Sequence, residues 1–278
     1  MDTPLKDIAM QIRRDVVKMI FNSQSGHPGG SLGCAEFFTA LFFKLMDHDP
    51  DFKMDGKNED IFFLSNGHIC PVYYSALARS GYFPLSELKT FRQINSRLQG
   101  HPTTHEHLPG IRVATGSLGQ GLSVACGAAL AKKLNKDPKT VFVLCGDGEL
   151  DEGQNWEAIM FAPNRDVDNL ILTVDVNGMQ IDGPTKKVMD VESLQAKFEA
   201  FKWQVLSMDG NNIDEVVETL EKAKNLLGKG RPVVILMNTI MGRGVSFMEG
   251  NFEWHGTAPS KEQYELALTE LPMTMADY

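Results

Sequence analysis

The sequence predicts an α/β fold in which a parallel sheet lies between layers of helices, and three observations predict it. The runs VFVLC (141–145), LILTVD (170–175) and PVVILMN (232–238) are strand-length and rich in β-branched residues. Their apolarity is continuous rather than alternating, so each is expected to be buried on both faces, as parallel strands covered by helices are. Segments with helical spacing lie between them, the order that builds a parallel sheet from crossover units. With 278 residues, 42% hydrophobic and 23% charged, the chain has material for one substantial core, and residues 1–278 are expected to form a single domain.

Thr3-Pro4 can cap and start a helix in which Leu5, Ile8, Ala9, Ile12, Val16, Met19 and Ile20 recur at helical spacing. The stretch from Ser25 to Gly33 is expected to end it. CAEFFTALFFKLM (34–46) reads as a mostly buried helix, followed by an acidic loop from Asp47 to Asp60. IFFLS (61–65) is a short buried strand, a helix follows over about 69–80, and a polar loop carries GHPTTHEHLPG (100–110). The next helix starts within GQGLSVACGAALAKKL (119–134), whose small residues permit close packing. WQVLS (203–207) is a weaker strand candidate. The sequence contains no internal repeat, low-complexity tract or interdomain linker.

A net charge of -9 and a pI near 5.3 disfavour a nucleic-acid-binding surface, which needs cations against the phosphate backbone. A small molecule or another protein is the expected partner. Cys34, Cys70, Cys126 and Cys145 lack C-x-x-C spacing and sit in or beside apolar stretches, as buried free thiols of a reducing cytoplasm do. MDTPLKDIAMQIRRDVVKMI (1–20) carries charges throughout, so it offers neither a signal-peptide run nor a membrane span. A soluble, cytoplasmic protein is expected.

Ligands in parallel sheets sit off the carboxyl ends of the strands. VFVLC delivers Gly146-Asp147-Gly148 to that edge, and the next strand, LILTVD, delivers VNGMQIDG, so Asn177 is expected beside Asp147. One carboxylate, one amide oxygen and a loop carbonyl, here that of Met179, are hard-oxygen ligands for Mg²⁺ or Ca²⁺. They leave coordination positions that suit phosphate oxygens and water, which describes a metal clamping a diphosphate. Gly-Asp-Gly alone would equally mark a tight turn; the second loop at the same edge adds the weight. A zinc site fits poorly, because the histidines lack metal spacing.

GDGELDEGQNWEA followed by LILTVDVNGMQIDG resembles the diphosphate-and-magnesium motif of thiamin diphosphate enzymes, in the form found in transketolases. SGHPGGSLG (25–33), LSNGH (64–68), QGHP (99–102), GIRVATGSLGQG (110–121) and WHGTAP (254–259) resemble transketolase signatures in the family's order. The resemblance implies the thiamin diphosphate-binding fold, with thiamin diphosphate and Mg²⁺ as cofactors. It implies Asp147 and Asn177 as side-chain metal ligands, Met179 as the carbonyl ligand, and the Gly148 amide as a diphosphate contact. Gly116, Ser117, Leu118 and Gly119 match the loop that approaches the cofactor with backbone and one apolar side chain. From the residues alone the same stretch is a helix N-terminus with Ser117 as cap. Glu152 matches an acid that communicates with the partner's cofactor-activating glutamate; without the resemblance it is an ordinary acid of a first helical turn. His27, His68, His101 and His255 stand in Gly- or Pro-flanked loops, where a lone histidine is usually just solvated or locally hydrogen-bonded. Together, the resemblance implies, they line the cleft over the cofactor, bind substrate hydroxyls and move protons, with His68 and His255 also at the cofactor. His48, His105 and His107 are expected at the surface, and Lys229, Arg231 and Arg243 as turn and helix-end cations.

The activity so implied is transfer of a two-carbon ketol unit from a ketose phosphate to an aldose phosphate, the family's usual pair being xylulose 5-phosphate and ribose 5-phosphate. Single-chain transketolases continue beyond this length with a pyrimidine-binding domain and a further C-terminal domain. The chain is therefore expected to be the N-terminal subunit of a split transketolase, completed by a C-terminal subunit in a heterotetramer with two copies of each. Its rivals are the α-type chain of a 2-oxoacid dehydrogenase, which shares the metal motif, a deoxyxylulose-phosphate synthase, and a non-catalytic protein that keeps the cofactor fold. SGHPGG, SNGH and WHGTAP favour the transketolase pattern.

Overall fold

The structure, a computed structural model, describes residues 3–278. Its strands are β1 (Ile61–Leu64), β2 (Val141–Gly146), β3 (Leu170–Val176), the two-residue β4 (Met179–Gln180) and β5 (Gly183–Pro184), β6 (Gln204–Asp209) and β7 (Val233–Asn238). Five of them form one sheet in the order β1-β2-β3-β7-β6, and every neighbouring pair is parallel. β4 and β5 form a separate antiparallel ribbon.

The continuous apolarity has the expected cause. In β2, Phe142 and Leu144 enter one hydrophobic cluster, while Val141, Val143 and Cys145 enter a second cluster on the other face. β7 divides in the same way, with Val233, Ile235 and Met237 on one side and Val234 and Leu236 on the other. β6 lies at the sheet edge and is half exposed, which is why its sequence signal is weak.

The α-helices are α1 (Leu5–Ser23), α2 (Pro28–Gly33), α3 (Ala35–Ala40), α4 (Cys70–Arg79), α5 (Gly121–Leu134), α6 (Gly153–Asn164), α7 (Thr185–Val188), α8 (Leu194–Ala200), α9 (Ile213–Leu226) and α10 (Lys261–Glu270). α1, α3, α4 and α9 cover the first face of the sheet, and α5, α6 and α8 the second. Helix α9 shows the local logic: Asn212 accepts from the N–H groups of Asp214 and Glu215, and Val216, Leu220 and Ala223 then bury one stripe. All four cysteines are buried and unbridged. Among the described residues, no helix is long and apolar enough to cross a membrane.

Four local expectations need correction. The stretch 25–33 does not merely end α1, because Pro28, pre-set for a first helical turn, restarts the chain as α2. The helix expected over 34–46 stops at Ala40 and continues through Leu41–Leu45 as a wider π-type turn. Ser117 is not a cap: α5 begins at Gly121 after Gln120, with no side-chain capping bond. His48 is not a surface residue, since the acidic loop folds back and stacks its ring on Tyr82 at 5.4 Å. His48 Nδ1 meets the Tyr82 hydroxyl at 3.0 Å and Nε2 meets the Phe42 carbonyl at 2.9 Å. His105 and His107 are exposed, as expected.

Phe38 of α3 is completely buried, with the rings of Phe37, Phe62 and Tyr73 centred 5.5, 5.5 and 5.7 Å away. Phe38→Ala should lower the unfolding free energy by about 3–5 kcal/mol. Denaturant titration reads this as a lower midpoint at unchanged slope; an unmoved midpoint would show that this cluster does not hold α3 to the sheet.

Candidate functional site

The pairing of β2 with β3 sets the site. Gly146 stands opposite Asp175, so Asp147 and Asn177 emerge together just past the paired strands. Asp147 is 3% exposed; its Oδ1 accepts the Gly148 N–H at 2.8 Å and its Oδ2 the Gly178 N–H at 2.7 Å. One carboxylate thereby joins the two loops. Gly178 adopts φ +71°, a left-handed conformation that glycine enters without strain, to present that N–H. The Asn177 amide is held at both ends: Oδ1 accepts the Met179 N–H at 2.9 Å, and Nδ2 donates to Asp175 Oδ2 at 2.9 Å. In the ribbon, Met179 faces Pro184, which has no N–H to offer the Met179 carbonyl.

This floor is acidic. Burial, and then the neighbouring Asp175, push the Asp147 carboxyl up to about 7 against the pull of the Gly178 and Gly148 N–H groups. Asp175 is fully buried and is likewise raised by burial, opposed by hydrogen bonds from Thr239, Asn177 and Cys34. Two buried carboxyls side by side repel when ionised, a repulsion that a divalent cation at Asp147 would relieve.

Above the floor the cleft encloses about 280 Å³ and is walled by the four loop histidines. Ring centroids are 5.1 Å apart for His27 and His68, 5.0 Å for His68 and His255, 5.7 Å for His27 and His255, and 6.2 Å for His27 and His101. His27 directly precedes α2, His68 follows β1, and His255 closes the turn Phe252–His255. His101 stands exposed at the mouth. Burial lowers His27 to about 4, with His255, Arg92 and His101 adding to the shift. Burial also lowers His68 strongly and His255, and lowers His101 with help from Arg92. The rings are therefore neutral near neutral pH, each able to donate from one nitrogen and accept at the other. Nδ1 of His27 and Nδ1 of His255 are buried with no hydrogen-bond partner among the described residues.

The glycine loop divides. Gly116 and Leu118 line the cleft, and Gly116 is required where it is: a Cβ there would lie 2.9 Å from the His101 ring. Ser117 is exposed, and Gly119 turns its N–H away to Glu149 Oε1 at 2.8 Å. Glu152 is exposed outside the cleft wall, its Cβ 2.8 Å from where a Gly119 side chain would begin. The Gly148 amide, expected at a diphosphate, is engaged here by Asp147. Lys229, Arg231 and Arg243 do not line the cleft, and Arg243 pairs with Glu249 at 3.2 Å.

Two residues of the site escape the sequence reading. Glu149 is 2% exposed and ties three loops, accepting the Gly119 N–H, the Ser65 hydroxyl and, at 3.1 Å, the Gly146 N–H. Nothing in the sequence separates it from the exposed Asp151 and Glu152 beside it. Asp175 did leave a signal, being an acid at the end of a buried apolar run.

Among the described residues, no cluster of three or more His, Cys, Asp or Glu is arranged to hold a metal. The oxygens of Asp147, Asn177 and Met179 do fit a hard cation that completes its shell with ligand phosphate oxygens and water. The unpaired imidazole nitrogens above fit a polar ligand held over that floor.

A parallel sheet covered on both faces, with an oxygen-rich turn at its carboxyl edge, is the architecture of diphosphate-cofactor-binding α/β enzymes. The chain belongs to the transketolase family, matching its thiamine diphosphate binding domain over residues 5–276. It is 41% identical to an apulose-4-phosphate transketolase subunit of Actinobacillus succinogenes, over 96% of this chain and 95% of that one. It is 43% identical to a 6-deoxy-6-sulfo-D-fructose transketolase subunit of Clostridium sp. (strain MSTE9), over 96% of each. The solved transketolase of Leishmania mexicana superposes with a TM-score of 0.91 at 29% identity, covering 100% of this chain and 43% of that one. The chain thus spans less than half of the full-length transketolase and nearly all of the two subunits.

Because His27 has a folded value near 4, below its unfolded 6.5, folding favours its neutral form. Its contribution is fully present above pH 6.5 and is lost as pH falls towards 4. Asp147, raised by burial, contributes with the opposite sign over an overlapping interval, so the His27 contribution is read by difference: the stability of the wild type relative to His27→Asn should fall as pH drops from 6.5 towards 4. A His27 ring that titrates by NMR near 6.5 would contradict the burial described.

Proposed function

We propose that this chain is the thiamin diphosphate- and Mg²⁺-binding subunit of a two-chain transketolase, folded as one domain and working in the cytoplasm. Its reaction moves a two-carbon ketol unit from a ketose phosphate or similar anionic ketose to an aldose phosphate. A C-terminal subunit completes the site, in an assembly with two copies of each chain. The observation that carries this reading is the juxtaposition of Asp147 and Asn177 beneath the cluster of His27, His68, His101 and His255.

Bound thiamin diphosphate supplies the reactive carbon and the electron sink for breaking and making the carbon–carbon bond. Asp147, the Asn177 oxygen and the Met179 carbonyl hold the metal, and Gly148, Asn177, His68 and His255 hold the diphosphate end. Gly116 and Leu118 bring backbone and one apolar side chain against the cofactor, with Ser117 and Gly119 setting the path of that loop. His27, His68, His101 and His255, neutral at physiological pH, bind substrate hydroxyls and take up or return protons there. Glu152, exposed at the rim, is free to meet the partner subunit. The relatives named for apulose 4-phosphate and 6-deoxy-6-sulfo-D-fructose support a donor sugar that carries an anionic group.

Calorimetry with thiamin diphosphate and Mg²⁺ tests the binding claim: Asp147→Ala should weaken Mg²⁺-dependent binding at least about tenfold. Undiminished binding by that variant would refute the metal assignment. Separately, the purified chain should show no ketol transfer until a C-terminal transketolase subunit is added; full activity from the chain alone would overturn the two-chain reading.

A further inference from the structure

Asn66 follows β1, lines the cleft and is 2% exposed. Asparagine is a favoured helix cap, and Asn66 occupies the capping position of the turn Gly67–Ile69, yet its side chain makes no capping bond. Only its backbone carbonyl serves the turn, accepting the Ile69 N–H at 3.1 Å. Its Oδ1 is buried with no hydrogen-bond partner among the described residues. The side chain therefore neither shapes its own loop nor pairs within the wall. The unpaired oxygen lowers the stability of the fold, and a diphosphate, which offers only acceptors, does not serve it; Nδ2 is the end of the amide that can meet an anion.

The geometry of Gly146 shows where the amide points. A Cβ built on Gly146 would stand 3.7 Å from Asn66 Nδ2 and 4.0 Å from its Cβ. Nδ2 stands against Gly146, the residue that leads into the Asp147–Gly148 turn. Asn66 thus flanks that turn from the β1 side, while Asn177 flanks it from the β3 side.

We propose that Asn66 is a further ligand-contact residue, whose Nδ2 donates a hydrogen bond to an oxygen of the diphosphate seated at the Asp147–Gly148 turn. This rests on the cofactor assignment made under Proposed function. A neutral amide suits the position because it donates to an anion without placing a competing cation beside the metal.

The test uses the full chain with Mg²⁺ and either thiamin diphosphate, inorganic pyrophosphate or unphosphorylated thiamin. Asn66→Ala should weaken thiamin diphosphate binding about tenfold. Asn66→Asp, nearly identical in shape, should weaken it further by turning a carboxylate towards the diphosphate. Asn66→Ala should leave the melting temperature of the unliganded chain unchanged, whereas Asn66→Asp, which buries a carboxylate in the cleft that already holds Asp147 and Asp175, should lower it. In the wild type, the Asn66 side-chain N–H resonances should shift with thiamin diphosphate and with pyrophosphate, but not with thiamin. This measurement decides the matter if a variant fails to fold. Intact wild-type binding with unaltered affinity in both variants, or with unmoved Asn66 resonances, would overturn this inference alone. Absence of thiamin diphosphate binding by the wild type would instead overturn the cofactor assignment and this inference with it.

Discussion

The site depends on one constraint, the parallel register that sets Gly146 of β2 against Asp175 of β3. A slip by one residue would exchange the faces of a whole strand, and both faces here are buried, so the two hydrophobic clusters fix the register. From that register, Asp147 and Asn177 leave the sheet side by side, and the N–H of Asp147 bonds the Asp175 carbonyl at 3.0 Å. The stability of the core is thereby converted into the position of two polar side chains. Glu149 extends the same control to the glycine loop and to Ser65, using one buried carboxylate where a longer chain of contacts would otherwise be required.

The cleft divides its electrostatics by height. Its floor holds buried carboxyls whose ionised forms are disfavoured. Its walls hold imidazoles that burial keeps neutral. An acidic floor thus lies below and uncharged hydrogen-bonding groups lie above.

The central strands were legible because short, continuous, β-branched apolar runs suit a strand buried on both faces, and the helices around them because of periodicity; the caps were not, since neither Thr3-Pro4 nor Ser117 supplies a side-chain capping bond. Edge strand β6 was faint because one side of it meets solvent. The order β1-β2-β3-β7-β6 was beyond the sequence pattern, which reports burial but not neighbours. Among the site residues, Asp147, Asn177 and the four histidines announced themselves through glycine-flanked motifs at strand ends and loops. Ser117 was misread as a cap because small polar residues before a helix usually are, whereas here the loop runs three residues further before α5 begins. Glu149 stayed hidden in a run of acids, since burial distinguishes it and spacing does not. His48 was misread for the converse reason: an acidic loop hides the fact that it folds back onto Phe42 and Tyr82.

The central claim is that two loop tips, aligned by one strand pair, grip a single divalent cation that anchors a diphosphate. A crystal of the chain grown with thiamin diphosphate and Mn²⁺, with data collected at the manganese absorption edge, tests it most directly. One anomalous peak bonded to Asp147, Asn177, the Met179 carbonyl and two phosphate oxygens is the expected result. A peak elsewhere, or ordered diphosphate with no peak at these tips, would contradict it.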